Sequence, residues 1–334
     1  MEILSKVHAK NLVTWSKDKP EILVLSADLT SSTEIDLFRN TYPDRFISFG
    51  VAEQNMMSFA GGLAREGFFP FVHTFAVFIY RRAYDQIAMS IAYPNLPVRM
   101  FGFLPGVTTP GGATHQAIED ISLMRSLPNM TVLECGDVTE VESVLDVAHA
   151  VNGPVYIRML RGDIPRLFDP SSPMVLGKPR LISRGNDITM LTSGICTEEA
   201  MRVTPTLKGL GVSIHHLHIS TLKPFNDPAV IEAVSNNRYG VITMENHSII
   251  GGLGSTVAEV MAEIGSSGRL VRLGLRDTFM HGASRNYLIK EYGIDAMALV
   301  REIEKLMDTR FNISEELQKE DSVTIQNSNK EEAL

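Results

Sequence analysis

Phe49-Gly50-Val51-Ala52-Glu53-Gln54-Asn55-Met56 sets one carboxylate at the passage from a short apolar run, 46–49, into a helical pattern, 53–66. A junction of that kind is where open α/β sheets carry ligand sites. The helix that follows is rich in Gly, Ala and Met, with Met57, Phe59 and Leu63 on its apolar side, which predicts a largely buried element. A carboxylate at the mouth of a buried helix needs a charged partner or keeps its proton. Glu53 is therefore a candidate acid/base. The competing reading is an acidic residue favoured by the helix dipole, and position alone does not separate the two.

Outward from this junction, strands and helices alternate. Apolar β-type runs occur at 22–25, 46–49, 69–72, 98–103, 131–133 and 155–159, with helical patterns at 53–66, 76–92, 117–126 and 139–151. Asp137 is a suitable N-cap for the last of these helices, and Asn152-Gly153-Pro154 ends it. Such alternation predicts an α/β fold with mainly parallel sheets flanked by helices. A Pro/Ser-rich hinge, Phe168-Asp169-Pro170-Ser171-Ser172-Pro173, precedes a second series of strands (188–191, 212–217, 240–244, 270–274) and helices (197–207, 227–234, 256–264, 284–290, 295–307). Two consecutive domains are expected, 1–169 and 170–310, followed by a tail, 311–334.

The formal net charge of −8 argues against a nucleic-acid partner. Half of that charge is local: Glu315, Glu316, Glu320, Asp321, Glu331 and Glu332 against Lys319 and Lys330 give −4 over 311–334. This segment is expected to be a solvated, disordered acidic tail. The two cysteines, Cys135 and Cys196, lack CxxC spacing, which fits a reducing, cytoplasmic setting. No signal-peptide pattern precedes the first strand and no apolar run reaches about 18 residues, so no membrane span is expected.

Several further segments carry chemistry. Leu104-Pro105-Gly106-Val107-Thr108-Thr109-Pro110-Gly111-Gly112-Ala113-Thr114-His115-Gln116 follows an apolar run, and its glycines let backbone approach a ligand closely. His115, at its end, suits proton transfer near neutrality. Phe75 and Phe78 are three apart at a helix start and share a face. They suit either core packing or stacking on a flat ring. Arg161 and Arg166 flank Gly162-Asp163-Ile164-Pro165 after a strand, where arginine suits a phosphate or carboxylate; a surface pair with Asp163 is the alternative. His215, His216 and His218 suggest a metal cluster, but in a strand only His216 and His218 share a face, so no metal is expected there. Gly251-Gly252-Leu253-Gly254 lacks dinucleotide spacing and a Walker lysine, and reads as close helix–strand packing.

Taken together, these segments resemble the C-terminal half of transketolase over roughly 22–307. The resemblance rests on Ser26-Ala27-Asp28-Leu29-Thr30, Gly50-Val51-Ala52-Glu53-Gln54-Asn55-Met56, Gly112-Ala113-Thr114-His115-Gln116 and Arg125-Ser126-Leu127-Pro128-Asn129-Met130, in that order. Lys223-Pro224 and Glu245-Asn246-His247 with Gly251-Gly252 look like the family's C-terminal domain. Deoxyxylulose-phosphate synthase and the β subunits of 2-oxo-acid dehydrogenases share the plan more distantly. A non-catalytic scaffold that has kept the fold is the reading from another class, and the joint presence of Glu53, Phe78 and His115 argues against it.

The resemblance implies a pyrimidine-binding fold followed by a transketolase C-terminal-domain-like fold, and a thiamine diphosphate enzyme. Glu53 matches the glutamate that hydrogen-bonds the aminopyrimidine ring nitrogen and favours the imino tautomer, so that the exocyclic imine takes the thiazolium proton. Phe78, with Phe75, matches the aromatics packed on that ring. His115 matches the histidine that contacts substrate oxygens, and Ser32 and Arg161 match positions that bind the sugar phosphate. The implied reaction moves a two-carbon ketol unit from a ketose phosphate to an aldose. Gly111 departs from the acidic residue usual four positions before the histidine, which points to an unusual sugar, branched or deoxy. The family's Gly-Asp-Gly…Asn signature, which holds Mg2+ and the cofactor's diphosphate, does not occur in the 334 residues. The implied assembly is a split transketolase, α2β2, in which a partner subunit carries that motif and the cofactor is shared.

Overall fold

The computed structural model describes residues 2–313. Its first half runs β1 (Ile3–Ser5), α1 (Val7–Trp15), β2 (Ile22–Ser26), α2 (Asp36–Thr41), β3 (Phe46–Ser48), α3 (Glu53–Arg65), β4 (Phe69–Phe75), α4 (Ala76–Gln86), β5 (Arg99–Phe103), α5 (Asp120–Ser126), β6 (Thr131–Glu134), α6 (Val138–His149), β7 (Val155–Met159) and β8 (Asp163–Pro165). Strands β2 to β7 pair in parallel in the order β6-β7-β5-β4-β2-β3. Residues of β5, β6 and β7 are buried throughout. That is why these strands read as continuous apolar runs rather than alternating ones: helices cover both faces. The alternation of the sequence thus becomes a doubly covered parallel sheet, and its carboxyl edge carries every loop singled out in this half.

The second half builds β9 (Arg180–Ser183), β10 (Ile188–Thr192), α7 (Cys196–Gly209), β11 (Ile214–His218), β12 (Thr221–Lys223), α8 (Pro228–Ser235), β13 (Gly240–Ser248), α9 (Leu253–Glu263), β14 (Leu270–Leu275), α10 (Arg285–Glu291) and α11 (Ala296–Met307). Its sheet is ordered β14-β13-β10-β11-β9, parallel except for β9. Strand β12 leaves this sheet and pairs antiparallel with β6, on the edge of the first. A buried Arg158 on β7 ties the halves further: Nε lies 2.8 Å from Asp120, Nη1 bonds Glu134, and Nη2 donates to the Asn246 carbonyl at 3.0 Å.

Three elements depart from expectation. The helix expected at 117–126 starts only at Asp120, because Gly106 donates to the Ala117 carbonyl at 2.8 Å and a β-bridge joins Pro105 to Ala117. The helix expected at 76–92 is α4, with a non-helical Ala83 (φ −123°, ψ 20°), running on into a π-helix, Ile87–Ala92. The expectation of a largely buried α3 is corrected: it is amphipathic, burying Met56, Met57, Ala60, Gly61 and Ala64 while Gln54, Asn55, Ser58 and Phe59 are exposed. The acidic tail lies outside the described residues past Ile313. Among the described residues no helix is long and apolar enough to cross a membrane, and both cysteines are buried and free.

Candidate active site

Glu53 is the first residue of α3 and only 3 % exposed. The partner demanded by that burial comes from α4: Arg82 Nη1 donates to Glu53 Oε1 at 2.7 Å. Phe78 and Arg82 are four residues apart, one helical turn on the same face. The Arg82 guanidinium carbon lies 4.1 Å from the Phe78 ring centroid. Phe78 in turn stacks on Phe75, centroids 5.7 Å apart and planes at 27°. Phe75 is buried and Phe78 half-buried, so Phe75 serves as core while Phe78 offers a face to the outside.

His115 completes the group, edge-on to Phe78 at 5.5 Å and to Phe75 at 6.3 Å between centroids. Its Nδ1 bonds Thr114 Oγ1 at 2.9 Å. The loop that delivers it is held at both ends. Leu104 enters with φ 55°. Asn246 of β13 accepts from Val107 N–H at 2.9 Å and donates to the Pro105 carbonyl at 3.0 Å. Gly106 has φ 56°, and a Cβ there would lie 2.1 Å from the Asn246 amide, so only glycine fits. Arg81 ties α4 to the loop, bidentate to Glu119 at 2.9 and 3.0 Å and donating to the Ala113 carbonyl at 2.8 Å. A Cβ on Gly111 would lie 2.8 Å from His115 Cβ. The missing acidic residue therefore has a steric counterpart, because His115 fills the space its side chain would need.

Ser32 and Arg161 come together on the same sheet edge, Arg161 Nη1 donating to the Ser32 carbonyl at 2.9 Å. Arg166 is engaged elsewhere, bidentate to Glu142 at 2.8 and 3.0 Å and 2.6 Å from Glu2. Two histidines of β11 are tied into one buried hydroxyl network, Thr192 lying 2.7 Å from Thr197. His216 bonds Thr192 at 2.8 Å, while His218 bridges Glu140 at 2.9 Å and Thr197 at 2.6 Å. Gly251 and Gly252 do serve close packing: a Cβ on Gly252 would meet Glu245 at 1.9 Å, and one on Gly251 would meet Ser122 at 2.1 Å. Glu245 accepts the N–H groups of Leu253 (2.6 Å) and Gly254 (2.8 Å) at the start of α9, yet complete burial raises its pKa to about 8.

Arg82 and the bracing role of Asn246 escaped the sequence reading. The first was within reach: a buried carboxylate required a cation, and Arg82 stands one turn beyond a candidate ring-binding Phe78. The second had no local signal, since Asn246 lies 139 positions from Val107. The assembled group is a carboxylate and an aromatic face that share one planar N–H donor, Arg82, with an imidazole at the edge of the ring. Such a place suits a planar heterocycle that donates to a carboxylate.

Comparison with known proteins fits this geometry. Residues 4–166 match the transketolase pyrimidine binding domain and residues 177–299 the transketolase C-terminal domain. A 6-deoxy-6-sulfo-D-fructose transketolase subunit of Clostridium sp. (strain MSTE9) is 38 % identical over 87 % of this chain and 90 % of its own. A subunit of the apulose-4-phosphate transketolase of Actinobacillus succinogenes is 30 % identical over 90 % of this chain and 96 % of its own. A split-gene transketolase solved as an inactive β4 tetramer superposes with a TM-score of 0.83 at 36 % identity, covering 92 % of this chain and 98 % of that one. The chain belongs to the transketolase family, carrying its pyrimidine-binding and C-terminal domains in order.

Proposed function

We propose that this chain is the pyrimidine-binding subunit of a split transketolase, moving a two-carbon ketol unit from a ketose phosphate to an aldose. The observation that carries the reading is the nearly buried Glu53 carboxylate beside the Phe78 face, already satisfied by one planar N–H donor, Arg82. An aminopyrimidine ring has the same needs, so the residues fit the cofactor end assigned to them. Thiamine diphosphate, when bound, supplies the electron sink for carbon–carbon cleavage beside a ketose carbonyl. Glu53 would accept the hydrogen bond of the ring nitrogen and hold a proton there. Phe78, backed by Phe75, would orient the ring. His115 would contact substrate oxygens and move protons among them, and Ser32 with Arg161 would take the sugar phosphate.

The diphosphate and its Mg2+ fall to a partner subunit with the Gly-Asp-Gly…Asn motif, in an α2β2 assembly. The inactive β4 form of a relative supports that division. Residues 1–169 form the pyrimidine-binding domain in this reading and 170–310 the C-terminal domain, in the cytoplasm. Two relatives named for a sulfo-deoxy sugar and for apulose support an unusual substrate, as does the crowding at Gly111. The test is Glu53→Gln in the chain assembled with its partner. Turnover of ketose phosphate is expected to fall on the order of 10²-fold or more, and unchanged turnover removes the role given to Glu53. Pyruvate with an artificial electron acceptor serves as the control for 2-oxo-acid decarboxylation, and preferred turnover of pyruvate replaces ketol transfer with that chemistry.

A further inference from the structure

We infer that Arg82 is a built-in placeholder for the aminopyrimidine ring, holding the Glu53 site in shape without cofactor and leaving it when cofactor binds. This rests on the thiamine reading of Glu53. Three features of the guanidinium match what the ring would present. It is planar. It lies 4.1 Å over the Phe78 face. It donates an N–H to Glu53 Oε1 at 2.7 Å. One carboxylate oxygen facing one aromatic face does not accommodate both groups in that position, so the two compete.

The environment of Arg82 suits a group that leaves. Glu53 is fixed and nearly buried, whereas the Arg82 side chain is 44 % exposed and has solvent to move into. Its backbone also stands at a break: Ala83, the next residue, has φ −123° and ψ 20° inside α4, and a π-helix starts at Ile87. Breaks of this kind interrupt the regular hydrogen-bond ladder of the helix. The neighbouring Arg81, by contrast, is anchored by Glu119 and the Ala113 carbonyl. Two consecutive arginines therefore have opposite duties, one structural and one displaceable. A placeholder also explains how a buried carboxylate survives in the free subunit, where an unpaired charge would be costly.

The experiment measures thiamine diphosphate binding, with Mg2+, to the assembled complex by calorimetry, together with melting of the free chain. The chain is compared as wild type, Arg82→Met, Arg82→Lys and Glu53→Gln. Arg82→Met is expected to bind cofactor about twofold to fivefold tighter, the scale of a half-exposed ion pair. The free chain is expected to melt earlier, while the loaded complex melts as wild type. Arg82→Lys keeps a charge but not the planar guanidinium, and is expected to bind between the two; it also guards against a Met variant that fails to fold. Binding that is equal or weaker in both Arg82 variants, while Glu53→Gln weakens it, overturns the placeholder and leaves the cofactor reading standing. Binding unaffected by Glu53→Gln overturns both.

Discussion

Gly111 and His115 share one small volume, so a side chain at position 111 has to move the imidazole. Gly111→Asp, which restores the family's usual acidic residue, is expected to lower kcat/KM for the native substrate by about 10- to 100-fold, the scale of a displaced catalytic group. A substrate screen of this variant reads the effect; unchanged kcat/KM on every sugar would mean that His115 is not held by this packing. At this scale the members of the candidate group were legible where residue type alone speaks. Glu53, Phe78 and His115 each had a plausible job, and the structure brings them and Arg82 into one group. Legibility stopped at partners. Whether Arg161 meets Asp163 or the Ser32 carbonyl depends on how two loops 129 positions apart meet, and no local pattern encodes that.

Among elements, the loop between β5 and α5 depends on one side chain of the second half. Asn246→Ala removes the acceptor for the buried Val107 N–H and the donor to Pro105. A buried donor left unpaired costs about 1–3 kcal/mol, so urea denaturation is expected to report a loss of that order, with KM raised through a looser His115. Gly106→Ala is expected to cost at least as much, because it adds an unfavourable φ to the clash with Asn246. A denaturation midpoint unchanged in either variant would contradict the brace. Strands β2 and β4 to β7 were readable because burial on both faces makes their apolar runs continuous. Strand β12, of three residues, and α2, of six, were not. Short elements hold by pairing and packing rather than by a periodic pattern. The late start of α5 has the same origin, since a tertiary contact at Ala117 outweighs local helix preference.

For the whole molecule, buried titratable groups predict a stability optimum. Desolvation lowers His8 and His216 to about 3, His247 to about 4, and His73 well below 6.5. Their unfolded forms take up protons near 6.5 while the folded forms stay neutral. Stability is thus full above 6.5 and lost as pH falls through that window towards 3. Glu245, raised by burial from 4.5 to about 8, acts in the opposite sense. The folded state keeps its proton while the unfolded state loses it, so stability declines as pH rises from 4.5 towards 8. At pH 6.5 the four histidines, each half-protonated when unfolded, still outweigh the one carboxyl, and Glu245 prevails among these five only above about pH 7, which sets their combined maximum near pH 7. Urea midpoints between pH 5 and 8.5 check this, and His8→Gln is expected to flatten the acid limb; a midpoint that keeps rising to pH 5 would contradict it.

The same scale holds the central claim, that this chain contributes one half of a shared active site. The decisive measurement is ketol transfer from a ketose phosphate, with thiamine diphosphate and Mg2+, by this chain alone, by the proposed diphosphate-binding partner alone, and by the two together. Turnover is expected only from the mixture, rising with partner until the subunits are equimolar; turnover by this chain alone would contradict the account.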